Sequence, residues 1–206
     1  MAAGDFDGDG LADLALADNL PSGDSRVRLL RNQGNFSFSA FGGHLPQVFS
    51  GTMDLADTDG DGKAELLLTG LARNRAGGEY RLVNGLITPS GRQIAAQTYA
   101  DLRYAELDTS SGLDLVMIGR ENGTLRTRVY SGGPGGFSPL PNTGGLATPG
   151  GPTTPGGLGA VDGSTLDLGD WNRDGYTDIV YCGMDAGGSP RTMILTFDAN
   201  ANRFQR

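Results

Sequence analysis

The sequence is poor in cysteine: 206 residues contain one, Cys182. An intramolecular disulfide framework is excluded. Cys182 follows the apolar run Ile179, Val180, Tyr181 and is expected to be a small buried core residue. Histidine is as scarce. The single His44 stands in Gly42-Gly43-His44-Leu45-Pro46; a Ser-His-Asp or Cys-His mechanism would have to use it, and nothing near it suggests a nucleophile. Basic residues are few and scattered, 16 against 24 acids, for a net charge of −8. A nucleic-acid binder would show a basic stripe; here the acids are clustered, which points to cations as partners. No apolar stretch approaches the roughly 20 residues needed to span a bilayer. Met1-Ala2-Ala3-Gly4 runs straight into an acidic motif, so no signal peptide is expected within this stretch and the N-terminus reads as a domain edge or a cut.

What is abundant is glycine, at 35 residues, more than twice the usual share of about 7%. That much glycine without a collagen period argues for many tight turns and many short strands. An internal repeat organises them. Asp5-Phe-Asp7-Gly-Asp9-Gly10-Leu11-Ala-Asp13-Leu14 recurs as Asp57-Thr-Asp59-Gly-Asp61-Gly62-Lys63-Ala-Glu65-Leu66 and as Asp170-Trp-Asn172-Arg-Asp174-Gly175-Tyr176-Thr-Asp178-Ile179. A worn copy lies between them, Glu106-Leu-Asp108-Thr-Ser110-Ser-Gly112-Leu-Asp114-Leu115. A short apolar segment precedes the later three loops, and a denser one follows every loop: 14–17, 66–69, 115–118 and 179–182. A third segment appears at 27–30, 80–83, 127–130 and 193–197. Phe36, Phe137 and Phe204 then follow a turn in three repeats. Each unit thus reads as about four short strands, and none of its segments has helical length or period.

Repeats of about 50 residues with four strands are propeller blades. The fold class expected is all-β, a β-propeller-like array of four antiparallel blades in one domain, 1–206, with blades at about 1–46, 47–98, 99–140 and 160–206. Residues 132–159, rich in Gly and Pro and containing Thr148-Pro-Gly-Gly151 and Thr154-Pro-Gly-Gly157, form an expected inter-blade insertion.

Carboxylates at positions 1, 3 and 5 of a tight loop repel one another by several kcal/mol at an effective dielectric of about 20, so the arrangement calls for a cation. Glycine at position 6 lets the chain turn sharply. A carbonyl at position 7 and an acid at position 9 complete an oxygen cage, and hard oxygen ligands without His or Cys select calcium over zinc or copper. The expected ligands are Asp5, Asp7, Asp9, Asp13 and the Leu11 carbonyl; Asp57, Asp59, Asp61, Glu65 and the Lys63 carbonyl; and Asp170, Asn172, Asp174, Asp178 and the Tyr176 carbonyl. About three calcium sites follow. The third loop (Glu106, Asp108, Ser110, Asp114) has a serine at position 5 and a displaced glycine, so it is expected to be weak or empty. An EF-hand would need an acid at position 12 and flanking helices; position 12 is Leu16, Leu68 and Tyr181.

The stretch Gly4-Asp5-Phe6-Asp7-Gly8-Asp9-Gly10-Leu-Ala-Asp13-Leu14 resembles the signature of FG-GAP/VCBS repeats, found in integrin α-subunit propellers and many bacterial surface proteins. The resemblance implies calcium in the hairpin between the first and second strands of a blade, placement outside the cell or on its surface, and a role in adhesion or ligand recognition. The partners it implies are calcium and a protein or glycan ligand. The most distinctive acids are assigned to metal rather than to catalysis, so no enzymatic activity is expected.

The alternatives are a self-assembling surface or filament subunit and a lectin-like sugar binder. The family usually closes with seven blades and four are visible here. Terminal blades would expose apolar faces, so association of copies is expected over closure of four blades. Trp171 at loop position 2 is expected to pack beneath its loop, with an exposed sugar-stacking platform as the alternative. Asn122-Gly123-Thr124 and Asn35-Phe-Ser37 are glycosylation sequons, and the first is also a hairpin turn signal.

Overall fold

In a computed structural model the chain is all-β. The structure describes residues 1–19, 25–41, 45, 47, 49–71, 78–94, 98–108, 112–121, 124–133, 136–139, 162–185, 187–200 and 203–205. His44, Ser110, the Asn122-Gly123 turn and the Gly/Pro-rich stretch from 140 through 159 lie outside the described residues.

Four antiparallel sheets follow one another along the chain. The first is β1 (Ala2–Gly4), β2 (Asp13–Asn19), β3 (Ser25–Asn32) and β4 (Phe38–Ala40). The second is β5 (Phe49–Ala56), β6 (Glu65–Leu71), β7 (Gly78–Val83) and β8 (Leu86–Gln93). The third is β9 (Thr98–Ala105), β10 (Asp114–Glu121), β11 (Thr124–Ser131) and β12 (Ser138–Pro139), and the fourth is β13 (Asp162–Gly169), β14 (Asp178–Met184), β15 (Pro190–Asp198) and β16 (Arg203–Gln205). Within each sheet the strands keep chain order, as short turns between consecutive strands dictate. Equivalent residues pair across the second and third strands: Leu14 with Leu30, Leu66 with Tyr80, Leu115 with Tyr130 and Ile179 with Leu195.

The chain divides into two compact units, Met1–Thr98 and Tyr99–Arg206. In the first, alternation along the strands sends Ala2, Ala15, Val27 and Leu29 of sheet one against Met53, Leu55, Leu66 and Leu68 of sheet two, with Phe6 and Ala64 completing the core. Phe41 meets Phe6 edge to face, with centroids 5.8 Å apart. In the second unit, Leu107, Val116, Ile118 and Val129 of sheet three pack with Leu166, Ile179, Tyr181, Leu195, Phe197 and Phe204 of sheet four. Asp101 adds a polar tie between their first strands: its Oδ2 accepts from the Leu166 N–H at 2.8 Å.

Two expectations are corrected by this register. Cys182 is half-buried rather than a core residue. It pairs with Thr165 and Thr192, and alternation turns Ile179 and Tyr181 to the core instead. Phe36 does not follow its turn but forms it, at φ 56°, and is 99% exposed; Phe41 fills the apolar site in sheet one. Phe137 and Phe204 do pack on aromatic neighbours.

Candidate metal centres

Each acidic loop connects the first strand of a sheet to the second: 5–13 between β1 and β2, 57–65 between β5 and β6, 106–114 between β9 and β10, and 170–178 between β13 and β14. The glycine at position 6 is left-handed in the three intact loops, with φ 85° at Gly10, 85° at Gly62 and 88° at Gly175. This region suits a residue without Cβ. Position 4 is left-handed too. Gly8 and Gly60 take it freely, whereas Arg173 adopts φ 62° at a steric cost of about 1–2 kcal/mol.

The carboxylate at position 1 is the hub around which each loop turns. Asp5 Oδ1 accepts from the N–H groups of Gly8 (2.7 Å) and Asp9 (3.1 Å), and Oδ2 from Gly10 (2.8 Å). Asp57 accepts from Gly60 and Gly62 at 2.7 and 2.9 Å. Asp170 accepts from Asp174 and Gly175, both at 3.0 Å. Positions 3 and 5 each cap the N–H two residues on: Asp7 to Asp9, Asp59 to Asp61 and Asn172 to Asp174, then Asp9 to Leu11, Asp61 to Lys63 and Asp174 to Tyr176. In loops one and two the carboxylates so held converge.

In loop one, oxygens of Asp5, Asp7 and Asp13 lie within 4.8 Å of one another, and in loop two those of Asp57, Asp59 and Asp61 do so. Asp9 and Glu65 stand outside these triads, and among the described residues loop four, with Asn172 at position 3, forms no third carboxylate triad. In loop three Asp108 is half-buried and Glu106 exposed, and neither joins such a group among the described residues. Leu11, Lys63 and Tyr176 are placed at position 7, each with its N–H tied to the carboxylate at position 5.

The donor set fits a hard cation. Asp7 Oδ2 is buried without a hydrogen bond and is met by the Arg31 guanidinium, whose Nε also lies 3.8 Å from Asp9 Oδ2. This buried carboxylate oxygen already draws a cationic partner, as the converging oxygens of a hard-cation site would. Arg81 approaches Asp59 at 3.9 Å. Arg31 and Arg81 hold the same register position, one residue beyond the Leu30 and Tyr80 pairings; Thr196 holds it in sheet four and Ser131 in sheet three. Sequence reasoning missed these arginines because their distances from the two loops differ along the chain, and only the strand pairing places them at one register position.

The acid at position 9 does something the sequence did not announce. Asp13 is fully buried; its Oδ2 accepts from Phe6 N–H at 3.0 Å and its Oδ1 from Asn32 N–H at 2.8 Å. Asp114 accepts from Leu107, Asp108 and Gly132 at 2.7, 3.0 and 2.9 Å. Asp178 accepts from Trp171, Asn172 and Phe197 at 2.9, 3.3 and 3.2 Å. This carboxylate clamps the loop to the end of the third strand. Gly132 serves the clamp because a Cβ there would collide with the Leu113 carbonyl. Glu65, one methylene longer, instead accepts from the Thr58 N–H and hydroxyl at 2.8 and 2.7 Å. Burial pushes the carboxyls of Asp13, Glu65 and Asp114 above the usual range, against the lowering effect of these donors. Each oxygen keeps a second lone pair, so clamping does not prevent Asp13 from also facing a cation with Asp5 and Asp7.

Trp171 departs from the expectation that it packs beneath its loop. Phe6, Thr58 and Leu107 at the same position are buried, whereas Trp171 is 67% exposed. Phe6 and Leu107 are covered by the neighbouring sheet of their own unit. Trp171 instead stands with Asp167, Val180 and Ile194 beside a shallow cavity, on the face of sheet four turned from that core.

Comparison with known proteins adds one assignment. No curated protein matches the chain. Residues 5–68, which hold the first two acidic loops and the strands around them, match the FG-GAP-like repeat family, and this stretch of the chain is an FG-GAP-like repeat.

Proposed function

We propose that the chain is a calcium-binding β-propeller module, placed outside the cell, whose four sheets serve as blades of one domain and whose surface takes part in adhesion or ligand recognition without catalysis. The observation that carries the reading is the recurrence of one loop geometry between the first and second strands of three sheets, with all-oxygen triads in loops one and two. Calcium would be held by Asp5, Asp7, Asp9, Asp13 and the Leu11 carbonyl in loop one. In loop two the ligands would be Asp57, Asp59, Asp61, Glu65 and the Lys63 carbonyl, and in loop four Asp170, Asn172, Asp174, Asp178 and the Tyr176 carbonyl. There the ion would neutralise the converging carboxylates and stiffen the turn; its part is structural.

Ion counting tests the assignment. The protein should bind about three calcium ions with loop three empty. Asp9→Ala should lower the count by about one and Ser110→Ala by none. A count of four that drops on changing Ser110 would contradict the assignment.

A second reading, association of copies, draws on the face of sheet four, where Trp171, Ile194 and Met184 are exposed. A covering partner there would bury these exposed apolar side chains. Light scattering at micromolar concentration should then give a mass above the 21.4 kDa of one chain; a clean monomer would end this reading.

A further inference from the structure

Loops one and two touch each other. The Ala64 N–H donates to the backbone carbonyl of Asp5 at 2.6 Å. The Lys63 side chain runs along Gly8, where an added Cβ would lie 3.0 Å from Lys63 Cγ and 3.1 Å from its Cε. At Gly4 an added Cβ would come within 2.9 Å of Leu55 Cβ and 3.1 Å of Ala64 Cβ. The entrance of loop one is therefore packed flush against the exit of loop two, and Ala64 is buried there.

One peptide group then has two duties. The peptide joining Lys63 to Ala64 carries the carbonyl assigned above as the backbone ligand of loop two, and its N–H holds Asp5. Asp5 in turn is the hub of loop one, its carboxylate accepting from Gly8, Asp9 and Gly10. We propose that calcium binding at loops one and two is positively coupled through the Lys63–Ala64 peptide, an inference that rests on the calcium reading.

Two effects act in the same direction. A cation on a carbonyl oxygen polarises the amide and strengthens the hydrogen bond its N–H makes on the other side. Ordering the end of loop two also fixes the donor that positions Asp5, so loop one has less freedom to lose when it binds. By linkage the coupling is reciprocal: filling loop one tightens loop two by the same factor. In the second unit the equivalent positions are Glu106 and Thr177. Loop three lacks a carboxylate at position 5 there, so a relay from loop four has no second metal loop to reach.

The test is a calcium titration in an Asp174→Asn background, which silences loop four. Asp9→Asn in that background leaves loop two to be measured alone, and Asp61→Asn leaves loop one. With both loops intact, the product of the two stepwise association constants should exceed the product of the two single-loop constants at least about fivefold, the lower end of ordinary coupling. Equal products would overturn the coupling and leave calcium binding in place. No binding heat in any variant would remove the calcium reading and the coupling with it. Hydrogen exchange at the Ala64 amide gives a second measure. Filling loop one in the Asp61→Asn variant should slow it by a similar factor, and an unchanged rate would overturn the proposal.

Discussion

Asp114→Ala should destabilise the protein by about 3–5 kcal/mol, with or without calcium. The carboxylate is 1% exposed and accepts three backbone N–H groups, from Leu107, Asp108 and Gly132. Leaving a buried donor unsatisfied costs about 1–3 kcal/mol each. The full sum is not reached, because deleting the acid also relieves the desolvation that raises its pKa. For a chain of this length about 1 kcal/mol moves the melting temperature by roughly 2–4 °C, so thermal unfolding should shift by about 10 °C. Asp114→Asn keeps one acceptor oxygen and should fall between. A shift of a degree or two for the alanine variant would mean that the carboxylate is not the clamp its geometry indicates. The prediction also accounts for the worn repeat. Loop three has lost the acid at position 5 yet keeps Asp114, as expected if position 9 holds the fold whether or not a metal is bound.

Chelation should produce the other large effect. A ligand bound only to the native state adds about 2.7 kcal/mol per site at a hundredfold excess over its dissociation constant, so three filled loops would contribute roughly 8 kcal/mol. Exhaustive chelation should lower the melting temperature by about 15 °C or more on the same conversion. Calcium should restore it better than magnesium, which requires a tighter octahedral shell and gives up its waters reluctantly. The chelated protein should keep its far-ultraviolet β signature. The hydrogen bonds accepted by Asp5, Asp57 and Asp170 shape the loops without an ion, and Arg31 supplies a positive charge to loop one. An unchanged melting curve after chelation would refute the metal reading.

Much of this architecture is legible in the chain. The acidic loops announce themselves because ligand geometry demands fixed residue types at fixed spacing, and all four lie between a first and a second strand as the pattern requires. The strand segments at 27–30, 80–83, 127–130 and 193–197 fall inside β3, β7, β11 and β15, because alternating apolar residues between turns leave few other options. The family match over 5–68 covers the two loops with the fullest acidic pattern.

What the chain alone determined is thus local: where strands begin and end, where carboxylates crowd, and which residues share a face. Tertiary structure alone decided which face is covered and which polar atoms meet. Periodicity put Cys182 beside Tyr181 but could not say that Tyr181 enters the core while Cys182 stays half-buried. Loop position 2 reads alike in every repeat. Even so, Leu107 is covered by the neighbouring sheet while Trp171 stands exposed, because burial depends on what packs from outside. The clamp from Asp114 to Gly132, the Arg31 pairing with Asp7 and the Ala64–Asp5 bond each join groups well separated along the chain. A one-dimensional pattern does not encode such contacts, since the first two exist only once the strands of a sheet have paired and the third only once two sheets have stacked.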